Sequence, residues 1–315
     1  MGALPPVPVG GLDSLTYYGK VPIMFDTGIV LPTYRIYRFK GSIYKLVKFK
    51  RSAPYVYHGQ KKTSEPKHEV KLDSSISRTK RLVLEKALCN EWEYFCTFTL
   101  SKEKYDRYQL DKFHKDLTQW IRDQRKKGLE IKYLLVPELH KDGAWHMHGL
   151  MSGVGSQLVS FKDERRKGRK VPSVLVNNGF YDYPAYRKKF GFCSLAHVRS
   201  SVAVSFYVLK YISKDISESS VAVGKHSYFS SRPLNHSTLH SEVYCHSAYL
   251  DSFLENDYQF CRTGMTKMKD NLDWTFGLEY VDFEPLTPSD EMQETQEIEK
   301  YCNTVHDVFQ LSFPL

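Results

Sequence analysis

The chain is 315 residues long, 41% apolar and 26% charged, with a formal net charge of +9. That length suggests about two domains, and the apolar share is enough for a packed core, which excludes wholesale disorder. No apolar run approaches the roughly 20 residues that span a bilayer. The first residues, MGALPPVPVGG, lack the cationic stretch and apolar core of a signal peptide, so the reading is a soluble intracellular protein with no membrane association.

In chain order, residues 1–30 are rich in Pro and Gly and read as a loose lead-in. In 31–51, two runs of Tyr, Ile, Val and Phe flank Lys40-Gly41-Ser42, which predicts a basic β-hairpin. Residues 59–75 are polar and linker-like, and Ser74 or Ser75 is placed to cap a helix over 76–91. A strand is expected at Tyr94–Leu100. A helix is expected over 104–127, where Tyr108, Phe113, Leu117, Trp120 and Ile121 recur at helical spacing and Gly128 ends the run. Strands follow at 131–136 and 145–151, around a turn at Asp142-Gly143. Residues 161–170 (FKDERRKGRK) read as a basic loop, 192–198 as a strand and 202–217 as a helix. The turn-rich segment 226–234 has no clear assignment.

Charge and rings are distributed unevenly. Residues 282–299 hold seven acids and no Lys or Arg, so a basic body carries an acidic tail. A basic body points to a polyanion, most often nucleic acid. The 22 tyrosines, interleaved with cations, suit a surface where bases stack on rings and phosphates meet Lys and Arg. Most of the rings are equally accounted for as core. The six cysteines form no C-x-x-C pair and read as free thiols in a reducing compartment. No phosphate-binding loop is present, so nothing suggests an ATPase or helicase.

Two segments carry chemistry. In WHMHGL, His146 and His148 are i and i+2 on a strand and point to one face, where two imidazoles can hold one divalent ion. Upstream, Glu138 precedes the turn. A three-residue loop, Lys141-Asp142-Gly143 with Gly in the left-handed position, pairs 140 with 144 and 138 with 146. Glu138 then shares the face of both histidines, with His140 as a weaker candidate. A two-residue loop at Asp142-Gly143 would put Glu138 on the opposite face. Two neutral imidazoles and a carboxylate suit Mg²⁺ or Mn²⁺ at a phosphate. About sixty residues on, Tyr207-Val208-Leu209-Lys210-Tyr211-Ile212-Ser213-Lys214 repeats Y-[VI]-x-K. On a helix Tyr207 stacks over Tyr211, and Lys210 over Lys214 on an adjacent face. A phenol has a pKa near 10 and becomes a nucleophile when a metal or a Lys favours its phenolate.

Taken in order, these segments resemble the HUH family of rolling-circle replication initiators. Phe95–Leu100 is similar to the family's first motif, Glu138 with His146-Met147-His148 to its metal motif, and Tyr207–Lys214 to its third motif in the two-tyrosine form of phage initiators. The resemblance covers roughly 92–216, with a possible extension at 227–234. It implies an α+β fold with a central antiparallel sheet of about five strands flanked by helices. The organisation is then an N-terminal extension with the basic hairpin (1–75), a nickase domain (76–240) and a C-terminal extension with the acidic tail (241–315). It implies metal ligands Glu138, His146 and His148, nucleophiles Tyr207 and Tyr211, and phosphate-positioning Lys210 and Lys214. The implied activity is site-specific nicking and rejoining of single-stranded origin DNA, with a host helicase and DNA polymerase as partners, in the bacterial cytoplasm (the host's, if phage-encoded).

The hairpin (Arg35, Arg38, Lys45, Lys48) and the segment with Arg165 and Arg166 are the candidate DNA contacts. The alternatives are a non-catalytic single-strand-binding or copy-control protein and an HUH-type transposase. Binding alone requires neither the histidines nor the tyrosines, which weighs against the first.

Overall fold

The structure, a computed structural model, describes residues 33–50, 73–140, 142–214, 226–244, 247–257, 261–268 and 283–285. The chain order is β1 (Thr33–Arg38), β2 (Ile43–Phe49), α1 (Asp73–Leu88), β3 (Tyr94–Phe98), α2 (Leu110–Lys126), β4 (Lys132–Leu139) and β5 (Trp145–Ser152). The short elements β6 (Val159–Ser160), α3 (Phe161–Arg166), α4 (Ser173–Asn177), β7 (Tyr181–Asp182) and α5 (Pro184–Lys189) lead to β8 (Cys193–His197) and α6 (Ser201–Lys214). Then come β9 (Phe229–Ser230), β10 (Thr238–Tyr244), α7 (Ala248–Ser252), β11 (Asn256–Asp257), β12 (Cys261–Met268) and β13 (Phe283–Pro285). The fold is α+β, as expected. Its described residues fall into two compact units, one taken from 33–50 and from 237 onward, the other running from 73 to 236.

In the first unit the strands lie in the order β10-β1-β2-β12-β11, with β13 beside β12. The hairpin forms where it is expected, closing from Arg38 opposite Tyr44 through Gly41, whose φ of 69° needs glycine. Tyr34, Ile36, Tyr44 and Leu46 line one face and pack on Leu250, Phe253 and Leu254. The segments read as separate N- and C-terminal extensions therefore share one sheet: β1 pairs with β10, and β2 with β12. Of the acidic stretch, only 283–285 is described, as β13; the rest lies outside the described residues.

The second unit has a sheet in the order β6-β7-β8-β3-β5-β4-β9, antiparallel throughout. Four full strands, β8-β3-β5-β4, carry it, and the two-residue strands extend its edges. Both faces are covered, so β3 is buried at every position and shows no polar alternation. Cys96, Phe98, Leu135 and Met147 pack with Phe113, Leu117, Trp120 and Ile121 of α2. Phe95, Leu134, Val136 and Leu150 pack on the other side with Val83 and Ala87 of α1 and with Val204, Tyr207, Val208 and Tyr211 of α6. Each such burial is worth about 1.5–3 kcal/mol before entropy is counted. Gly149 is needed here, because a Cβ would collide with the Leu134 carbonyl on the neighbouring strand.

Several elements differ from the sequence reading. The second helix begins at Leu110, not near 104, and Tyr108 is 59% exposed rather than on its apolar face. Asp106 turns the chain first, accepting from the Tyr108 backbone N–H and the Gln109 side chain. The first helix begins at Asp73 and ends at Leu88, against an expected 76–91. The 161–170 segment is not a loop: α3 occupies 161–166, capped by the Ser160 side chain, which accepts from the Lys162 N–H, and stopped at Gly168 with φ 87°. Residues 226–234 contribute β9, which pairs with Leu134 and Leu135 at the edge of β4. The last helix is described to Lys214; 215–217 lie outside the described residues. Cys89, Cys96 and Cys193 are buried free thiols and Cys261 a half-buried one, while Cys245 and Cys302 lie outside the described residues. No helix among the described residues is long and apolar enough to cross a membrane.

Candidate functional site

The β4–β5 hairpin decides which side chains can meet. Glu138 pairs with His146, and the His140 N–H donates to the Ala144 carbonyl. That is the register of the three-residue loop. The Gly143 N–H donates to the His140 carbonyl with Gly143 at φ 82°, and Asp142 caps the turn by accepting from the Ala144 N–H. Residue 141 lies outside the described residues. Glu138, His146 and His148 consequently share the face of the sheet that α6 covers, together with Phe95 and Thr97 of β3.

His148 is held from three sides. Its Nδ1 lies 3.1 Å from Thr97 Oγ1. Its Nε2 lies 2.6 Å from Glu138 Oε2 but out of line for a hydrogen bond, so this buried nitrogen has no hydrogen-bond partner. Its ring stacks on Tyr211, with centroids 4.2 Å apart and planes 5° apart. His146 is buried between His140 (ring centroids 5.0 Å) and His148 (6.5 Å). Burial, then the neighbouring His148 and His140, push the His146 imidazolium down to a pKa of about 3, so the ring is neutral.

The donor set fits a divalent cation in one respect: an orphaned imidazole nitrogen faces a carboxylate oxygen. Among the described residues, however, no three His, Cys, Asp or Glu side chains already converge as a metal cluster. Glu138 and His148 are in contact, and His146 sits beside His140 and His148.

The tyrosine helix lies directly over these groups. Tyr207 and Tyr211, one turn apart on α6, join their hydroxyls at 2.7 Å. Phe95 packs edge-on against Tyr207 at 5.3 Å. Both tyrosines are buried, at 2% and 6% exposure. Lys210 is half-buried with its Nζ 6.0 Å from the Tyr207 ring centroid; the Lys214 side chain lies outside what is described. The structure thus brings together Glu138, His146, His148, Tyr207, Tyr211 and Lys210, which are up to 73 positions apart in sequence.

The candidate DNA contacts are placed differently. Arg35 pairs with Glu242 at 2.9 Å and lies over the Phe49 ring; Lys48 pairs with Asp251 at 2.6 Å. Arg38 is exposed and reaches the Gly41 carbonyl at 3.4 Å, and Lys45 is half-buried on β2. Arg165 and Arg166 are exposed on α3, beside Ser173 and Asp163 respectively.

Two groups were missed by reading the sequence. One is Thr97, whose alternation with Phe95 on β3 was the available signal. The other is a buried ion-pair cluster in which Asp182 takes Arg169 at 2.7 Å and Arg187 at 2.6 Å, with Glu164 also in reach of both. It ties the basic 161–170 segment to the sheet edge and has no sequence signature.

The site is thus an antiparallel sheet bearing a carboxylate and an H-x-H pair, roofed by a helix with two tyrosines. Residues 93–216 match the model of the family described as replication-associated protein ORF2/G2P, and that match supports a replication initiator Rep protein. No curated protein and no solved structure matches the chain.

Proposed function

We propose that the chain initiates rolling-circle replication by nicking and rejoining single-stranded origin DNA through a covalent tyrosine intermediate. The observation that carries this reading is the contact of Tyr211 with His148 at 4.2 Å, which sets a nucleophile-type residue against a ligand-type residue. Glu138, His148 and His146 would hold Mg²⁺ or Mn²⁺, which when bound supplies Lewis-acid polarisation of the scissile phosphate. The phenolic oxygen of Tyr207 or Tyr211 forms the new P–O bond while the bond to the 3′ oxygen breaks. The phenol's proton is balanced by the proton gained at the 3′-OH. The 5′ phosphate stays on the protein and the 3′-OH primes synthesis. The ester conserves the bond energy, so rejoining needs no nucleotide, and strand opening and synthesis fall to a host helicase and polymerase. Lys210 and Lys214 would steady phosphate charge beside the phenols. The basic residues of β1, β2 and α3 would contribute phosphate contacts and a steep salt dependence.

The deciding experiment is a covalent-adduct assay with end-labelled single strands from the replicon's own origin, run with Mn²⁺ and with EDTA. Metal-dependent label that stays on the protein through denaturing electrophoresis is expected for 5′-linked DNA. Tight binding with no adduct in either condition would replace this reading with the non-catalytic binding module. That second reading has its own support: both tyrosines are buried, and no ready three-ligand cluster exists among the described residues.

A further inference from the structure

Thr97 lies in β3 directly opposite His148 in β5 and opposite Ser194 in β8. It is buried, and its hydroxyl is 3.1 Å from His148 Nδ1. A neutral imidazole carries one proton on one of its two nitrogens, and the partner of one nitrogen sets the state of the other. At His148 the two nitrogens are unlike. Nδ1 faces a hydroxyl that can accept. Nε2 is buried, has no hydrogen-bond partner and lies beside Glu138 Oε2. Were the proton on Nε2, a carboxylate at 2.6 Å would be expected in line with the N–H, and it is out of line. A β-branched side chain on a strand has few χ1 choices, so the Thr97 hydroxyl is a fixed point rather than a passing contact.

We infer that Thr97 is a positioning residue: it accepts the His148 Nδ1–H, fixes that tautomer, and so leaves the Nε2 lone pair, beside Glu138, free of a proton for a divalent cation. The inference rests on the metal reading above and adds to it the group that prepares the ligand. Thr97 touches neither metal nor DNA in this role. Its neighbours Cys96 and Phe98 face the opposite side of the sheet, so the effect is specific to this position on β3.

The test uses the full chain labelled with ¹⁵N-histidine, the His148 signals being identified by their loss in His148→Gln. Long-range ¹H–¹⁵N spectra report the tautomer, and Mn²⁺ titration followed by electron paramagnetic resonance reports metal affinity. Wild type is expected to show the proton on Nδ1. Thr97→Val, nearly isosteric, should mix the tautomers and weaken Mn²⁺ binding about 10- to 100-fold, the usual cost of losing such an outer partner. Thr97→Ser keeps the hydroxyl and should restore both, and single-strand binding in EDTA should be unchanged in either variant.

An Nε2-protonated ring in wild type would overturn the inference. So would a Thr97→Val protein with wild-type tautomer and Mn²⁺ affinity, or a Thr97→Ser protein as impaired as Thr97→Val. A wild-type protein with the Nδ1 tautomer but no Mn²⁺ binding would overturn the metal reading beneath it, and with that the role assigned to Thr97. The two failures are therefore distinguishable.

Discussion

In the first unit, two cations that the sequence offered to DNA are half-exposed and already paired, Arg35 with Glu242 and Lys48 with Asp251. In the second, the side chains proposed to carry chemistry are buried and held by packing: Tyr211 against His148, Phe95 against Tyr207, Thr97 against His148. The first arrangement suits a surface whose charges can exchange one anionic partner for another. The second suits a centre built on strands and a packed helix, elements that hold side chains more closely than loops do. Substitutions should therefore behave differently in the two regions: all-or-none chemistry in one, graded changes in affinity in the other.

The largest expected effect is at the tyrosines. Tyr207→Phe with Tyr211→Phe should abolish the covalent adduct while DNA binding persists; an adduct in the double variant would remove both residues as nucleophiles. Next, His148→Ala should cut cleavage by more than about 100-fold, at least the cost of losing an outer partner, and EDTA should do the same to wild type. Equal cleavage rates with and without EDTA would end the comparison, since the buried centre would then need no ion.

A purely structural test sits between the regions in size. Asp182→Asn leaves Arg169 and Arg187 without their shared buried carboxylate. It should lower stability by about 3–5 kcal/mol, less to the extent that the half-exposed Arg187 is screened by solvent and Glu164 compensates. Urea unfolding measures it, and a loss within about 0.5 kcal/mol, an ordinary surface value, would mean the cluster is not a staple. The smallest effects belong to the surface cations. Arg166→Ala should weaken single-strand binding modestly and reduce the salt dependence of the binding constant by about one phosphate contact. An unchanged salt slope would show that α3 does not meet DNA. Lys48→Ala should cost about 0–1 kcal/mol of stability, whatever it does to binding.

The centre was readable in the sequence to the extent that its geometry is local. Asp142-Gly143 and the period of two around it limited the hairpin to two registers, and the one observed puts Glu138 opposite His146. The tandem Tyr-Lys repeat placed two phenols on one helix face. Thr97 was not readable as a partner of His148, because the pairing spans 51 positions and depends on how β3 lies against β5. The union of the terminal segments in one sheet was hidden for the same reason, Arg35 and Glu242 being 207 positions apart. β9 was missed because two residues at a sheet edge leave no periodicity to detect. By contrast α3 carried its signals openly, with Ser160 before it, acids in its first turn and Gly168 after it.

The hydroxyl contact between Tyr207 and Tyr211, at 2.7 Å, bears on how genetic dissection of this helix must be read. Removing either hydroxyl also removes one end of the other's hydrogen bond, so a single Phe substitution perturbs two residues at once. Rates from the two single variants will not add up to that of the double, and ranking the tyrosines by them would measure their mutual dependence instead. The unit of interpretation is the complete four-corner cycle of wild type, both singles and the double, from which the coupling between the two phenols follows directly.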